Sequence, residues 1–387
     1  MRLFTLILLA ALAGCTAGEV IRSVKAAATG DPVAAAQIAG TRAARYAADP
    51  GALDRDLDKL KQTFETFRKI VSGSWGEDEA KAPSPKTYVK YTQNYESRAS
   101  VDFDAGMVTV ETVARKTPDE SLKNAVVTTL LTPDDPRAVD LFSAQEVKLT
   151  GTPFLLGEVE DQHGRAIDSP ARAEAFADYL VGARMRSKGI ETPKGPRILR
   201  WVRFPLVPDH LQVRAQKYAP LVREQAAAFD VSPNLVFAVM KVESDFNPFA
   251  VSHAGAIGLM QVVPASAGGD VYAFLHGKPG RPSGEALMQP AVNIRYGAAY
   301  LHMLFDRYLA KVADPVSREY CVISAYNTGP GNLLRTFSSN REAAFRQINE
   351  LDPLSVYRTL RSRLPYQETR RYLLKVLQAK KQFVRLS

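Results

Sequence analysis

Cysteine is almost absent from this chain. Its 387 residues carry only Cys15 and Cys321, too few for a disulfide framework and without the paired spacing of a zinc centre. Histidine is scarce as well, five in all, and no stretch gathers histidines, cysteines and carboxylates into a metal site or an activated nucleophile. A membrane-spanning run is also missing, because the apolar segment at residues 3–12 is too short to cross a bilayer as a helix. Acid is in deficit: 50 Lys and Arg face 41 Asp and Glu, a formal net charge of +9. That balance favours an anionic partner. No basic helix is interleaved with base-stacking aromatics, which argues against nucleic acid.

What is present suffices for two domains, since 46% of the residues are hydrophobic and the length exceeds one ordinary domain. Arg2 ahead of the apolar segment reads as an export signal. Leu12-Ala13-Gly14-Cys15 resembles the bacterial lipoprotein signal, in which small residues fit the signal peptidase and the cysteine accepts a diacylglycerol. The resemblance implies a leader at 1–14, acylation of Cys15 and, because Thr16 rather than aspartate follows, an outer-membrane anchor facing the periplasm. Several acyl chains would hold durably where one binds only marginally. A plain secretory signal with a chance cysteine stays open. Once Cys15 is acylated, Cys321 has no intrachain partner and is expected to pack in a core.

Residues 15–50 are alanine-rich with scattered charge and are expected to form a tether. Leu57, Leu60, Phe64, Phe67 and Ile70 then repeat at three- and four-residue spacing, which predicts an amphipathic helix over 57–71. The period changes to two in three runs, at 88–91, 101–103 and 107–113, which predicts strands, the last two joined by a short loop ending in Gly106. Helices are expected at 119–131, 137–142 and 174–185. A proline-studded segment, Thr192 to Pro196, reads as a hinge. The fold class is thus α+β: an N-terminal mixed α/β domain at 51–200, without reactive clusters, and an all-helical domain at 201–387. A fragment from about Arg200 onward is expected to fold alone.

Within the helical part Ser232-Pro233 is a good helix start, serine capping and proline fitting the first turn. Val236, Met240 and Glu243 fall four and three apart, and Asn247-Pro248 ends the segment. Glu243 is therefore placed at a helix end on an apolar stripe. A carboxyl held against apolar surface is costly to ionise and serves as a general acid. Asp245, two residues on, points to nearly the opposite side of such a helix and is the only carboxylate close in sequence.

From Glu243 the motifs accumulate: Glu243-Ser244-Asp-Phe246-Asn247-Pro248, Gly255-Ala256-Ile-Gly258-Leu259-Met260-Gln261, Asn293 with Gly297 and Tyr300, Ala325-Tyr326-Asn327-Thr-Gly329, and Glu368 to Tyr372. Together they resemble the lytic transglycosylase domain of the soluble murein transglycosylase type. The segments at 88–113 and 202–215 resemble one membrane-bound branch of that family. The resemblance departs at Gln289, where an aspartate often precedes the proline, and at Thr328, where a small residue is usual.

The resemblance implies a lysozyme-like catalytic domain that cleaves the β-1,4 bond between N-acetylmuramic acid and N-acetylglucosamine in peptidoglycan, leaving a 1,6-anhydro-muramyl end without consuming water. Glu243 would act first as acid and then as base. Ser252 would orient the N-acetyl group or the acid, or simply cap its loop. Gln261 would meet a sugar amide and Met260 supply a soft wall, unless it is core. Tyr326 and Asn327 would lie beside the acid, the tyrosine hydroxyl holding it. Glu368 would line the cleft or belong to a solvated helix face, and Tyr300 reads as core. Neither metal nor cofactor is called for. Expected partners are glycan strands, whose carboxylates suit the basic charge, outer-membrane lipid through Cys15, and proteins of cell-wall synthesis or division. A non-catalytic wall-binding lipoprotein and a muramidase-type hydrolase remain as alternatives.

Overall fold

The computed structural model describes residues 51–386; the leader at 1–14, Cys15 and the tether at 15–50 lie outside them. The first element, α1 (Gly51–Trp75), extends the expected helix in both directions. Phe64, Phe67, Val71 and Trp75 form its buried stripe, whereas Ile70, counted with that stripe in sequence, is 44% exposed. The three period-two runs become β1 (Thr87–Thr92), β2 (Ser97–Asp102) and β3 (Met107–Thr112), paired antiparallel in series, although β2 starts four residues before the run expected at 101–103 and ends before Phe103. The β2–β3 turn closes on Asp102, whose Oδ1 accepts from the Asp104 and Ala105 amides. Gly106 there takes a φ of 63°. A Cβ would also sit 2.7 Å from His210 Nε2, so the site admits only glycine without strain.

Two helices follow, α2 (Pro118–Leu131) and α3 (Pro170–Arg184). Between them the helix expected at 137–142 shrinks to one 3₁₀ turn, Pro136–Ala138. Asp135 caps its start and Asp140 Oδ1 accepts from the Phe142 amide, so local side-chain bonds replace further helical ones.

The segment read as a hinge is instead a hairpin turn. It joins β4 (Arg186–Ile190) to β5 (Arg197–Pro205), with Thr192 Oγ1 donating to the Gly195 carbonyl. Strand order is β1-β2-β3-β5-β4. β4 escaped detection because it is an edge strand, carrying Arg186 and Lys188 and exposed at every position but Ile190, with no apolar alternation to read. The expected boundary between 200 and 201 runs through β5, whose Trp201 to Pro205 pair with β3. The sheet is covered on both faces. α1 packs Phe67, Val71 and Trp75 onto Val89, Tyr91 and Leu199. α2 and α3 bury Leu122, Val126, Phe176 and Leu180 against Val101, Val110 and Val202 on the other side.

From Leu206 onward the regular elements are helical: α4 (His210–Ala228), α5 (Pro233–Ser244), α6 (Ala267–His276), α7 (Gly284–Met288) and α8 (Pro290–Met303), then a π-helical turn at Leu304–Tyr308. After it come α9 (Pro315–Thr328), α10 (Pro330–Arg335), α11 (Arg341–Glu350), α12 (Pro353–Arg363) and α13 (Gln367–Lys380). α5 runs through the centre, packed on α4 and α13, with Val236, Phe237 and Met240 fully buried beside Leu373 and Val376. Cys321 is buried in this core as expected, and burial pushes its thiol up to about 12.

The two parts are interlocked. Phe249 belongs to the N-terminal core, its ring 4.9 Å from Tyr88 and 5.2 Å from Phe154. Buried Arg214 of α4 reaches Glu158 at 2.5 Å and the Phe103 carbonyl at 3.3 Å. Asn247 Nδ2 donates to the Pro85 carbonyl at 3.0 Å.

Candidate active site

Glu243 occupies the last turn of α5, which starts where Ser232 Oγ accepts from the Leu235 amide. Ser244 fixes the helix end by donating to the Leu259 carbonyl at 2.8 Å, tying α5 to the loop carrying Gly258 and Gln261. That loop is clamped by Asn293 of α8, whose Nδ2 donates to the carbonyls of Ile257 and Leu287 while Oδ1 accepts from the Met260 amide. Gly258, at a φ of 74°, leaves room for this amide, since a Cβ would approach Asn293 Nδ2 to 2.3 Å. Asn293 thus works on the loop's backbone.

Glu243 lines a cleft of about 890 Å³ together with Ser252, Gln261, Tyr300, Tyr326, Asn327 and Glu368. The carboxyl is half-buried, and desolvation raises its pKa from the ordinary 4.5 to about 7. The Tyr372 hydroxyl donates to Oε1 at 2.7 Å and opposes that rise, Glu368 adds to it, and Lys86 opposes it. Burial and the charge of Glu243 hold the Tyr372 hydroxyl well above its own ordinary range, so it remains a donor.

The expected residues divide. Ser252 lines the cleft, with its Oγ accepting from the Ala256 amide, which makes it a loop cap as well. Gln261 lines it too, with Nε2 donating to the Gly258 carbonyl at 2.9 Å. Asn327 Oδ1 accepts from Thr369 Oγ1 at 2.6 Å. Glu368 is exposed at the cleft, not turned away on a solvated face. Tyr300, read as core, is 7% exposed and still lines the cleft, its ring centroid 5.5 Å from that of Tyr326.

Two expectations are corrected. Met260 is no cleft wall: it is fully buried, its sulfur packed where a Cβ on Gly297 would lie 2.2 Å away. The Tyr326 hydroxyl does not hold the acid but donates to the Met260 carbonyl at 2.9 Å; Tyr372 is the residue that holds Glu243. Asp245 is confirmed as turned from the cleft, fully buried and paired with Lys86 and Lys241. It is not the nearest rival carboxylate, for Glu368 shares the cleft with Glu243.

Sequence reasoning missed the N-terminal contribution. Ser84, Pro85 and Lys86, just ahead of β1, line the same cleft, as does His253, whose ring lies tilted against Phe64 of α1 with centroids 4.4 Å apart. Lys86 bonds the Asp245 carboxylate at 2.5 Å. Nothing in the spacing of residues so far apart announces such a contact.

Residues 220–349 match the family described as the transglycosylase SLT domain, so the helical part is of the lysozyme-like lytic transglycosylase class. Residues 53–217 match the N-terminal domain of membrane-bound lytic murein transglycosylase C. The enzyme of that name from Cronobacter sakazakii is 45% identical over 332 residues, covering 86% of this chain and 91% of its own. The Klebsiella pneumoniae enzyme gives the same figures, 45%, 86% and 91%. The chain belongs to the membrane-bound lytic murein transglycosylase C family. Among solved structures, the 70 kDa soluble lytic transglycosylase of Escherichia coli is 26% identical, with a TM-score of 0.33 over 42% of this chain and 23% of that one.

Proposed function

We propose that the chain cleaves the β-1,4 MurNAc–GlcNAc bond of peptidoglycan and closes the muramyl residue into its 1,6-anhydro form, with Glu243 as both acid and base. The observation that carries this is the Glu243 carboxyl, with a pKa of about 7, on the wall of the cleft and hydrogen-bonded by Tyr372. Near neutral pH a large share of Glu243 is protonated and can give its proton to the leaving glycosidic oxygen. The resulting carboxylate takes the proton of the muramyl 6-hydroxyl as that oxygen attacks the anomeric carbon. The substrate's N-acetyl group shields the developing cation in place of a second enzymic carboxylate. Gln261 and Asn327 offer donors and acceptors to sugar amides, Ser252 a hydroxyl, and Tyr326 and Tyr300 an aromatic wall.

Glu368 favours one rival reading, since a second carboxylate in the cleft would suit water activation. Product mass decides, because the anhydro and reducing ends differ by one water. Purified sacculi digested with the chain should release anhydro-muropeptides; reducing ends alone would replace the transglycosylase reading with hydrolysis.

Acylated Cys15 and the tether would hold this catalytic body to the outer membrane from its periplasmic side. Support comes from the Leu-Ala-Gly-Cys signal and from the membrane-bound relatives. No helix among the described residues is long and apolar enough to cross a membrane. Cys15→Ala should leave an exported chain that no longer fractionates with outer membranes; pelleting that survives a carbonate wash would remove lipidation as the anchor.

A further inference from the structure

The surplus positive charge of the chain is concentrated. Residues 184–203 hold seven cations against one acid, Glu191, and so carry +6 of the total +9. Arg184, Arg186 and Lys188 enter the β4–β5 turn, Lys194 sits in it, and Arg197, Arg200 and Arg203 leave it. β4 is the free edge of the sheet, and all of these side chains are exposed except Arg197 and Arg200, which are half-buried. Among the described residues only Lys188 has a carboxylate partner, Glu79. Arg184 instead donates to Tyr179 Oη at 3.3 Å and Arg203 to Thr109 Oγ1 at 3.2 Å. Register places Arg186 opposite Trp201, so Arg186, Lys188 and Arg203 share one face with that half-buried ring. No two of these cations stand directly opposite, but seven within twenty residues build a positive local field that an anion laid along the hairpin neutralises.

We infer that the β4–β5 hairpin is a second, non-catalytic attachment surface for the peptide carboxylates of peptidoglycan, an inference that rests on the function proposed above. Ser84 to Lys86 of the cleft precede β1 at the opposite edge of the sheet. Four strand spacings, roughly 19 Å, therefore separate the two, and only an extended polymer spans both. Cations on both faces and in the turn suit a mesh bearing many carboxylates, and Trp201 adds a ring of the kind that stacks on sugars. A lipid surface fits less well. The hairpin's one exposed aliphatic is Ile198, at 52%, too little apolar area to enter a lipid interface. Two points of contact raise retention on an insoluble wall without any new contact in the cleft.

The test uses the full chain in detergent, carrying Glu243→Gln so that binding is read without cleavage. Adding Arg184→Gln, Arg186→Gln and Lys194→Gln should weaken pelleting with purified sacculi roughly tenfold at low salt and flatten its salt dependence. The corresponding Lys substitutions at the two arginines should restore most of it. Amidating the sacculus carboxylates should abolish the difference between hairpin variant and parent. With Glu243 intact, the same triple variant should cleave short soluble glycans at the parental rate, which also shows that it folds. Undiminished pelleting of the triple variant overturns the inference, as does a loss confined to beads coated with phosphatidylglycerol. A parent that cleaves no glycan sinks the enzymatic reading separately, whatever the pelleting shows.

Discussion

Glu243 combines two demands that conflict in one side chain. It must hold a proton near neutrality, which burial arranges, and release it on demand, which the Tyr372 hydroxyl assists by bonding the carboxylate. Glu243→Gln keeps the shape and removes the proton, so release of anhydro-muropeptides should fall by at least about a thousandfold; undiminished turnover would reassign the acid. The raised pKa is also a stability statement. The folded chain holds the proton longer than the unfolded one, so the cost of Glu243 is absent below its ordinary 4.5, grows with pH and is complete above about 7. Glu243→Gln should therefore be more stable than the parent at pH 8, by up to about 3 kcal/mol, and no more stable than it at pH 4. Activity should decline as pH rises through about 7, where the acid is lost. Tyr372→Phe removes a bond that favours the carboxylate, so this alkaline limb should move to higher pH as the rate falls; an unmoved limb would show that the hydroxyl does not act on the acid. Glu243 was legible because its motif is continuous and its helix stripe explicit. Tyr372 stood in a motif block but its hold on the acid was not legible, for the contact joins positions 129 apart, and Met260 was misplaced because sequence does not distinguish a buried thioether from one facing a cleft.

One element matters beyond its length, the turn that follows Glu243. Asp245 and Phe246 take φ values of 52° and 59°, two left-handed residues in succession where a helix stops. Such backbone is held only by its surroundings. Here these are Lys241 from the same helix and Lys86 from the N-terminal part on the buried Asp245 carboxylate, with Arg214 Nε on the Asp245 carbonyl at 3.0 Å. Lys86→Met leaves that carboxylate with one cation and removes a positive charge that favours ionised Glu243. Melting temperature and turnover should both fall, and the alkaline limb should move upward; an unchanged pH profile with wild-type turnover would confine Lys86 to the cleft's rim. The same scale shows where reading from sequence stops. β1 and β3 announced themselves through apolar periodicity and β2 only at its end, whereas β4 and β5 hid in a basic segment whose prolines look like a linker. Their register depends on β3, some 90 residues earlier, a pairing local pattern does not encode.

At the scale of the whole molecule, the two family segments look separable and the structure joins them. The division expected near residue 200 rested on motif content, since every catalytic block lies beyond it. Contacts decide otherwise. A chain starting at Arg200 keeps only Arg200 to Pro205 of β5 and loses β3 and β4, its partners on both sides. It leaves Phe249 without Tyr88 and Phe154, and it leaves the ions Asp245 and Arg214 without Lys86 and Glu158. Stripping Glu158 from buried Arg214 costs about 3–5 kcal/mol, a large share of the stability of an ordinary domain, while Asp245 keeps only Lys241. The fragment also lacks Ser84 to Lys86 from the cleft. Expressed alone, residues 200–387 should therefore show no cooperative melting by circular dichroism at 37 °C and no release of anhydro product from soluble glycan strands. Supplying residues 51–199 in trans should restore part of both, because the interface is built from side chains present in each piece. A fragment that melts cooperatively and cleaves soluble strands at the full-chain rate would return the N-terminal part to a placement role and make the Lys86–Asp245 bridge dispensable to the chemistry.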